Sequence, residues 1–348
     1  MEKIVPKGAW LTVNQQCNLR CKWCYVLAAG YQKDNEMTFD FAKEITKIIH
    51  GLNIQSIIIL GGEPTLWESL CSFNKFCKEL KITTTLVTNG LMFGDDNFWE
   101  KYIQSPNDRM GISLKAGNRE QMFKAARSRK FRTLEKGVSR ALQYLDNCGV
   151  SITYNSFYSE NLLEVVKFAL NCGAKSVKVD FCSTVFVANQ PCSKYMVESS
   201  ILVANILRDY PELERITDGH IVFEMNLPLC IWPEDFIEKL LEEKRIITVC
   251  QLLKREGVIF GTDGRLQLCN ALFDYPVGRY PKDFYDSATL LDFLNTRRMA
   301  SWYDRIARYP SSKCKKCDRY PVCGGGCPLR WAVDDPKKII KGRVPERR

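Results

Sequence analysis

The sequence predicts an α/β fold: a partial (β/α)6 barrel followed by a loop-rich C-terminal domain that contains a β-hairpin. Three observations carry this prediction. Short β-branched runs alternate six times with helical stretches over the first two-thirds of the chain, the pattern of a parallel sheet covered by helices. After about residue 210 that rhythm gives way to prolines and irregular spacing. A chain of 348 residues is also long enough to bury a sizeable core and carry a second, smaller domain.

Taken in order, AWLTVN (9–14) reads as a strand, and FDFAKEITKIIHGL (39–52) has helical period behind an N-cap at Thr38. The strand SIIIL (56–60), a helix around 66–80 and the strand TTLVTN (84–89) follow. A short helix near 97–104 precedes the strand RMGISL (109–114), and the long basic segment 119–147 reads as helical. The strands SITYNSF (151–157) and SVKVDFC (176–182) enclose the helix NLLEVVKFALNCG (161–173), and a helix near 194–208 closes the series. Beyond it, a helix around 233–245 leads to VIFGTDGRLQLC (258–269), a hairpin turning at Asp263-Gly264. The stretch KKCDRYPVCGGGCP (315–328) holds too many Gly and Pro for regular elements, and such a loop region needs a staple. The divisions expected are therefore 1–209 for the core, 210–248 for a bridging segment and 249–348 for the C-terminal domain.

No apolar run approaches membrane-spanning length, and the basic start MEKIVPKGAW lacks an apolar signal core, so a cytoplasmic protein with no membrane partner is expected. Sixteen cysteines in that setting point to metal or redox chemistry rather than disulfides. Only His50 and His220 are present, which argues against a histidine-based metal centre. The formal net charge of +10 raises the question of nucleic acid. Three iron–sulfur clusters held by thiolates would lower it to about +5, so a solvated mixed surface is the simpler reading and no nucleic-acid partner is expected.

The cysteines form two constellations. Cys17, Cys21 and Cys24 follow the first strand directly, on a loop at the end of the sheet where chemistry sits in such folds. Zinc would want a fourth ligand nearby, and none follows before His50. Three thiolates fit a [4Fe–4S] cluster with one iron left open for a substrate or cofactor. The second constellation is Cys314-x2-Cys317-x5-Cys323-x3-Cys327, with Cys250 and Cys269 upstream. A zinc ribbon would show two C-x2-C pairs rather than this graded series, so iron–sulfur is preferred again, making the C-terminal region a loop-rich iron–sulfur domain.

The motif CNLRCKWCY (17–25), the GGEP at 61–64 and the cysteine pattern of 250–327 together resemble the radical S-adenosylmethionine (SAM) enzymes with a C-terminal SPASM (twitch-type) auxiliary cluster domain. The resemblance implies that Cys17, Cys21 and Cys24 bind the SAM cluster and that Trp23 lies beside the adenine. It also implies that Gly61, Gly62, Glu63 and Pro64 form the site for the methionyl amine, with Glu63 accepting from the ammonium. Ser113 and Asn155 become candidate SAM contacts, and Arg127 or Arg129 a candidate partner for the carboxylate. One departure is Lys115, where the family often has an acid two positions after the Ser. Another is that no cysteine follows Cys327, where the full SPASM pattern has one more. By analogy Cys250, Cys269 and Cys327 hold the cluster nearer the active site, and Cys314, Cys317 and Cys323 the distal one. Each set then lacks a ligand. Cys230 is the expected completion of the first. For the second the candidates are an oxygen of Asp334 or Asp335, or an open iron, although both acids read more simply as solvated loop residues.

Cys71, Cys77, Cys148 and Cys172 fall in or just after helices and read as packing residues. Asp180 and Cys182 at the end of the sixth strand, with Cys192 beyond, are candidates for exchanging a proton or hydrogen atom with substrate.

The implied chemistry is reductive cleavage of SAM to a 5′-deoxyadenosyl radical that abstracts hydrogen from the substrate, with a flavodoxin or ferredoxin as low-potential electron donor. The implied substrate is a peptide or protein, modified by cross-linking, epimerisation or oxidation, as in maturases of ribosomal peptide natural products. The alternatives are sulfatase maturation (formylglycine formation) and dehydrogenation of a small molecule. Only nine residues precede Trp10, so a fused leader-recognition domain is not expected, and a separate recognition protein or direct leader binding takes its place.

Overall fold

The computed structural model describes residues 4–28, 32, 34–248, 250–306 and 308–342. Five strands follow one another as expected: β1 (Gly8–Thr12), β2 (Ser56–Leu60), β3 (Thr83–Thr88), β4 (Arg109–Leu114) and β5 (Cys148–Tyr154). Then come β6 (Val177–Phe181), a small separate hairpin of β7 (Val185–Val187) and β8 (Gln190–Cys192), and β9 (Ile221–Glu224) with β10 (Ile246–Ile247). The last three are β11 (Gly257–Phe260), β12 (Arg265–Gln267) and β13 (Gly278–Arg279). Among the described residues one sheet of eleven strands has the order β10-β9-β6-β5-β4-β3-β2-β1-β11-β12-β13. It is open rather than closed, and parallel throughout except for the antiparallel β11–β12–β13 end. This is the α/β architecture of a partial barrel with a hairpin beyond it.

Alternation along the strands decides which face is covered. Leu11, Ile57, Ile59, Leu86, Ile112, Ile152 and Val179 are fully buried on successive strands, so the helices lie against a continuous apolar face. The helix Phe39–Gly51 starts where Thr38 accepts from the Phe41 N–H, as its sequence predicts. No described helix is long and apolar enough to cross a membrane.

Four differences from the sequence reading matter for the site. The helical segment 119–147 divides into two helices, Arg119–Ala126 and Phe131–Tyr144, broken at Arg127 in the left-handed region. The break has a local use: the carbonyls of Ala125 and Ala126 accept from Lys22 N–H (3.1 Å) and Arg20 N–H (2.9 Å), so the helix end holds the first cysteine loop. The last helix of the series runs Ser199–Ile216, past the expected end and through Pro211, because its buried face of Leu202, Ile206, Tyr210 and Leu213 continues. The sheet also gains β9 and β10 from the segment expected to be irregular. Finally, β5 begins and ends three residues earlier than expected, which leaves Asn155 beyond the strand.

Candidate active site

The loops leaving β1 and β2 meet at the carboxyl ends of their strands and lock together through backbone. Gly62 N–H donates to Asn14 O (2.8 Å) and Glu63 N–H to Gln16 O (2.7 Å), while Asn14 Nδ2 donates back to Glu63 O (2.9 Å). A Cβ on Gly61 would lie 2.2 Å from Asn14 Oδ1, and one on Gly62 2.3 Å from Gln16 O. Only glycine permits that approach. Pro64 is buried and starts the helical turn Pro64–Leu66.

Glu63 is 1% exposed, and its carboxylate is fully engaged by protein. Oε1 accepts from Thr65 N–H (3.1 Å), Thr65 Oγ1 (2.6 Å) and Thr88 Oγ1 (2.6 Å), and Oε2 from Asn89 N–H (2.8 Å). Burial pushes its carboxyl above the usual range, and these four donors offset only part of that rise. The carboxylate therefore ties β2 to β3, and Glu63 also lines the cavity above the strand ends.

A cavity of about 630 Å3 opens above these strand ends, bounded by residues from nearly every parallel strand. Cys17, Cys21 and Cys24 line it with Gly61, Gly62 and Glu63. Burial pushes the Cys17 thiol up to about 12, with Glu63 adding to it, and pushes Cys21 up to about 11 against the pull of Lys115. Leu19 N–H (3.4 Å) and Asn89 Nδ2 (4.0 Å) both reach Cys17 Sγ, donors suited to a thiolate. Buried thiols of this kind give up protons when a metal takes them.

Around the same cavity, Ser113 Oγ accepts from Lys115 Nζ at 2.6 Å. Trp23 packs between Phe157 (5.9 Å) and Tyr158 (5.6 Å), and the Tyr158 hydroxyl donates to Lys115 O. Lys115, which departs from the family pattern, is the cation that this wall presents. Arg127 and Arg129 do not line the cavity, and Arg129 lies over the Phe123 ring instead. Asn155 is fully buried and does not line it either. Its amide closes the turn after β5, donating to Thr153 O (2.8 Å) and accepting from Phe157 N–H (2.9 Å).

Asp180 and Cys182 face the cavity from the end of β6, with Glu224 from the end of β9. Burial, helped by Glu224, lifts the Asp180 carboxyl to about 6. A carboxyl raised in the folded state stabilises the fold below the ordinary carboxylate range, and that stabilisation is lost as pH rises through about 6. The unfolding free energy is therefore expected to fall between pH 5 and pH 7 by on the order of 1 kcal/mol, screening included. Asp180→Asn should flatten that step in pH-dependent thermal melts, and an unaltered slope would assign it to another group. Cys182 also lines a neighbouring cavity of about 240 Å3 with exposed Cys192, beside the β7–β8 hairpin. Cys77 and Cys172 are buried, and Cys71 and Cys148 pack against the core, so all four sit as packing residues.

The remaining cysteines fall into two groups. Cys250, Cys269 and Cys327 line the main cavity, and each precedes a short helical turn. Backbone N–H groups of those turns, Leu252 and Leu253 for Cys250, Ala271 and Leu272 for Cys269, counter the upward push of burial. Cys314, Cys317 and Cys323 line another cavity of about 100 Å3, Cys323 bordering the main one as well, and Cys230 is with them. That corrects the expected grouping, which put Cys230 with Cys250, Cys269 and Cys327. The turn Leu229–Ile231 follows β9, a strand that could not be read from the sequence, so its direction could not be either. Asp334 is also not free, since it accepts from Arg330 Nε at 2.6 Å, and Asp335 caps the Lys337 N–H at 2.9 Å. Among the described residues no three Cys, His or acidic groups converge as a single metal ion needs.

Comparison with known proteins agrees with this geometry. Residues 11–170 match the radical SAM superfamily. Over 164 residues the chain is 23% identical to a probable GTP 3′,8-cyclase of Thermococcus kodakarensis, covering 47% of this chain and 53% of that protein. The chain thus spans about half the length of the curated relatives it matches. Across its whole length it has the fold of Streptococcus suis SuiB, solved bound to the precursor peptide SuiA, with TM-score 0.69, 20% identity and coverage of 93% and 72% of the two chains. It matches anSMEcpe, solved with bound AdoMet, with TM-score 0.69, 16% identity and coverage of 97% and 93%. The cofactors of this superfamily, a [4Fe–4S] cluster and SAM, fit the site: three thiols and two obligatory glycines line one cavity, and N–H donors already point at a ligand sulfur. The chain thus carries a radical SAM superfamily match over residues 11–170, with a cysteine-rich region after it, on the fold shared with SuiB and anSMEcpe.

Proposed function

We propose that this protein is a radical SAM peptide maturase with a SPASM-type auxiliary domain. The observation that carries the reading is that one cavity is lined both by Cys17, Cys21 and Cys24 and by Cys250, Cys269 and Cys327. When bound, the first cluster and SAM supply a 5′-deoxyadenosyl radical able to take hydrogen from an unactivated C–H.

The chain's own residues hold and orient the parts. Cys17, Cys21 and Cys24 ligate the first cluster, and the Gly61–Gly62 backbone leaves room for the methionyl amine. Lys115, paired with Ser113, takes the methionyl carboxylate in place of Arg127 or Arg129. Trp23, braced by Phe157 and Tyr158, forms the adenine wall. The apolar part of the cavity keeps water and competing hydrogen donors away, and Asp180 stands ready to accept a proton from the substrate. A volume of about 630 Å3 lies within the range that holds a cofactor and one side chain of a substrate. A flavodoxin or ferredoxin supplies the electron, and a separate recognition protein is the natural carrier for a leader peptide.

A second reading has one observation behind it: the curated relatives include GTP 3′,8-cyclases, so a nucleotide or other small molecule is the competing substrate class. Formylglycine formation on a sulfatase is a variant of the peptide reading. Anaerobic incubation with SAM, dithionite and a panel of candidate precursor peptides decides among them. Formation of 5′-deoxyadenosine with a mass change on a peptide supports the maturase. Turnover that rises with GTP and not with any peptide overturns it, and no 5′-deoxyadenosine from cluster-loaded protein overturns both.

A further inference from the structure

We propose that Cys230, Cys314, Cys317 and Cys323 are the four thiolate ligands of one distal [4Fe–4S] cluster, with Cys230 reaching in from the end of β9 to supply the ligand that the C-terminal series lacks. The proposal rests on the iron–sulfur reading of the C-terminal cysteines and adds a ligand set to it. Its starting point is that the series Cys314, Cys317, Cys323 offers three thiols where a cubane held wholly by protein takes four.

The structure fills that shortage from the opposite direction along the chain. The cavity of about 100 Å3 is bounded by all four sulfur residues, three from the series and one from the turn Leu229–Ile231. The thiols of Cys230, Cys323 and Cys317 stand close enough to Cys314 to perturb it electrostatically, and Cys230 and Cys317 do the same to Cys323. The residue beside Cys230 already serves the site, since Leu229 N–H donates to Cys323 Sγ at 3.3 Å. That is the kind of bond that tunes a ligating thiolate.

The turn is held in place independently of any metal. Cys327 N–H donates to Asn226 O at 2.8 Å, and a Cβ on Gly326 would lie 2.9 Å from that same oxygen. Trp232, just after the turn, stacks between Phe181 and Phe236 at 5.9 and 5.6 Å. The approach of Cys230 to the series is thus built by packing on both sides. The alternative ligands are engaged elsewhere, Asp334 by Arg330 and Asp335 by its own helical turn. Four thiols would also suit zinc, but no three described ligands converge as a single ion requires, whereas a four-iron cluster spaces its thiolates more widely. A cluster held by four thiolates carries a charge of roughly −2, and Arg319 on the cavity wall is itself paired with Glu234 and Glu238. With every iron capped by protein sulfur the site takes no substrate, which suits an electron relay or a structural pin.

Two experiments on the anaerobically loaded, full-length protein test this. In iodoacetamide labelling read by mass spectrometry, Cys230, Cys314, Cys317 and Cys323 are expected to be protected together while exposed Cys192 reacts, and all four to react after the iron is chelated. Cys230→Ala is expected to lose about four of about twelve irons or to show a three-iron signal by electron paramagnetic resonance, Cys314→Ala to give the same loss, and the double variant no more. Labelling of Cys230 in the loaded protein at the rate of Cys192, full iron with an unaltered electron paramagnetic resonance spectrum in Cys230→Ala, or one zinc in place of the distal irons overturns the assignment. The labelling needs no variant to fold. Failure of the maturase reading would show separately, as normal iron content and protection without peptide turnover.

Discussion

Cys21→Ala is expected to abolish 5′-deoxyadenosine formation and to remove about four of about twelve irons, leaving the C-terminal clusters loaded. Cys21 is 6% exposed and lies on the wall shared by Cys17, Cys24 and Lys115. Removing one of three thiolates leaves a cluster with two protein ligands and a second open iron, too loosely held to persist. The protein itself should stay folded, because the loop is fixed by backbone bonds of Arg20 and Lys22 to the helix Arg119–Ala126 and not by the thiol. Iron analysis together with nucleoside chromatography checks both halves. If all three clusters disappear together, the first loop is a folding element for the whole molecule, and the division of labour between the two cysteine regions fails.

Glu63→Ala should be the most damaging single change to the frame of the site. The substitution strands four donors, two N–H groups and two hydroxyls, around a side chain that is 1% exposed. Each unsatisfied buried donor costs about 1–3 kcal/mol, and since the hydroxyls can turn elsewhere a total of about 3–5 kcal/mol is expected. Chemical denaturation of the apoprotein reads that loss directly. Glu63→Gln keeps the volume but presents an NH2 to donors, so it should fall between the two. The opposite pattern, wild-type stability with SAM binding lost, would return Glu63 to the role of ammonium acceptor.

The sheet was legible because its strands are short β-branched runs with helices between them: SIIIL and RMGISL coincide with β2 and β4 residue for residue. The chain beyond residue 210 was harder to read, because β9 and β10 are four and two residues long and IVFE and II are too brief to carry a period. The cysteine loop and GGEP were legible as motifs, and the structure brings them to one cavity. Their finer roles were not. Glu63 and Asn155 carry ordinary hydrogen-bonding groups, and nothing in a linear string says whether these turn toward a ligand or toward the backbone. Lys115 was visible only as an exception to a pattern. The grouping of Cys230 depended on the turn after β9, and with that strand unread its partners were chosen by order along the chain.

The parallel pairing of β1 with β11, Gly8 through Leu11 against Gly257 through Phe260, bears on how this protein can be handled. The strand that launches the first cysteine loop has β2 on one side and a strand of the C-terminal region on the other. Shortening the chain before Cys250 would therefore not yield a simpler enzyme with one cluster. It would strip a row of backbone donors and acceptors along Trp10 and Leu11, leaving an adhesive edge directly beneath the catalytic loop. Insoluble protein from such a truncation would report a torn sheet and would say nothing about whether the auxiliary clusters take part in the chemistry.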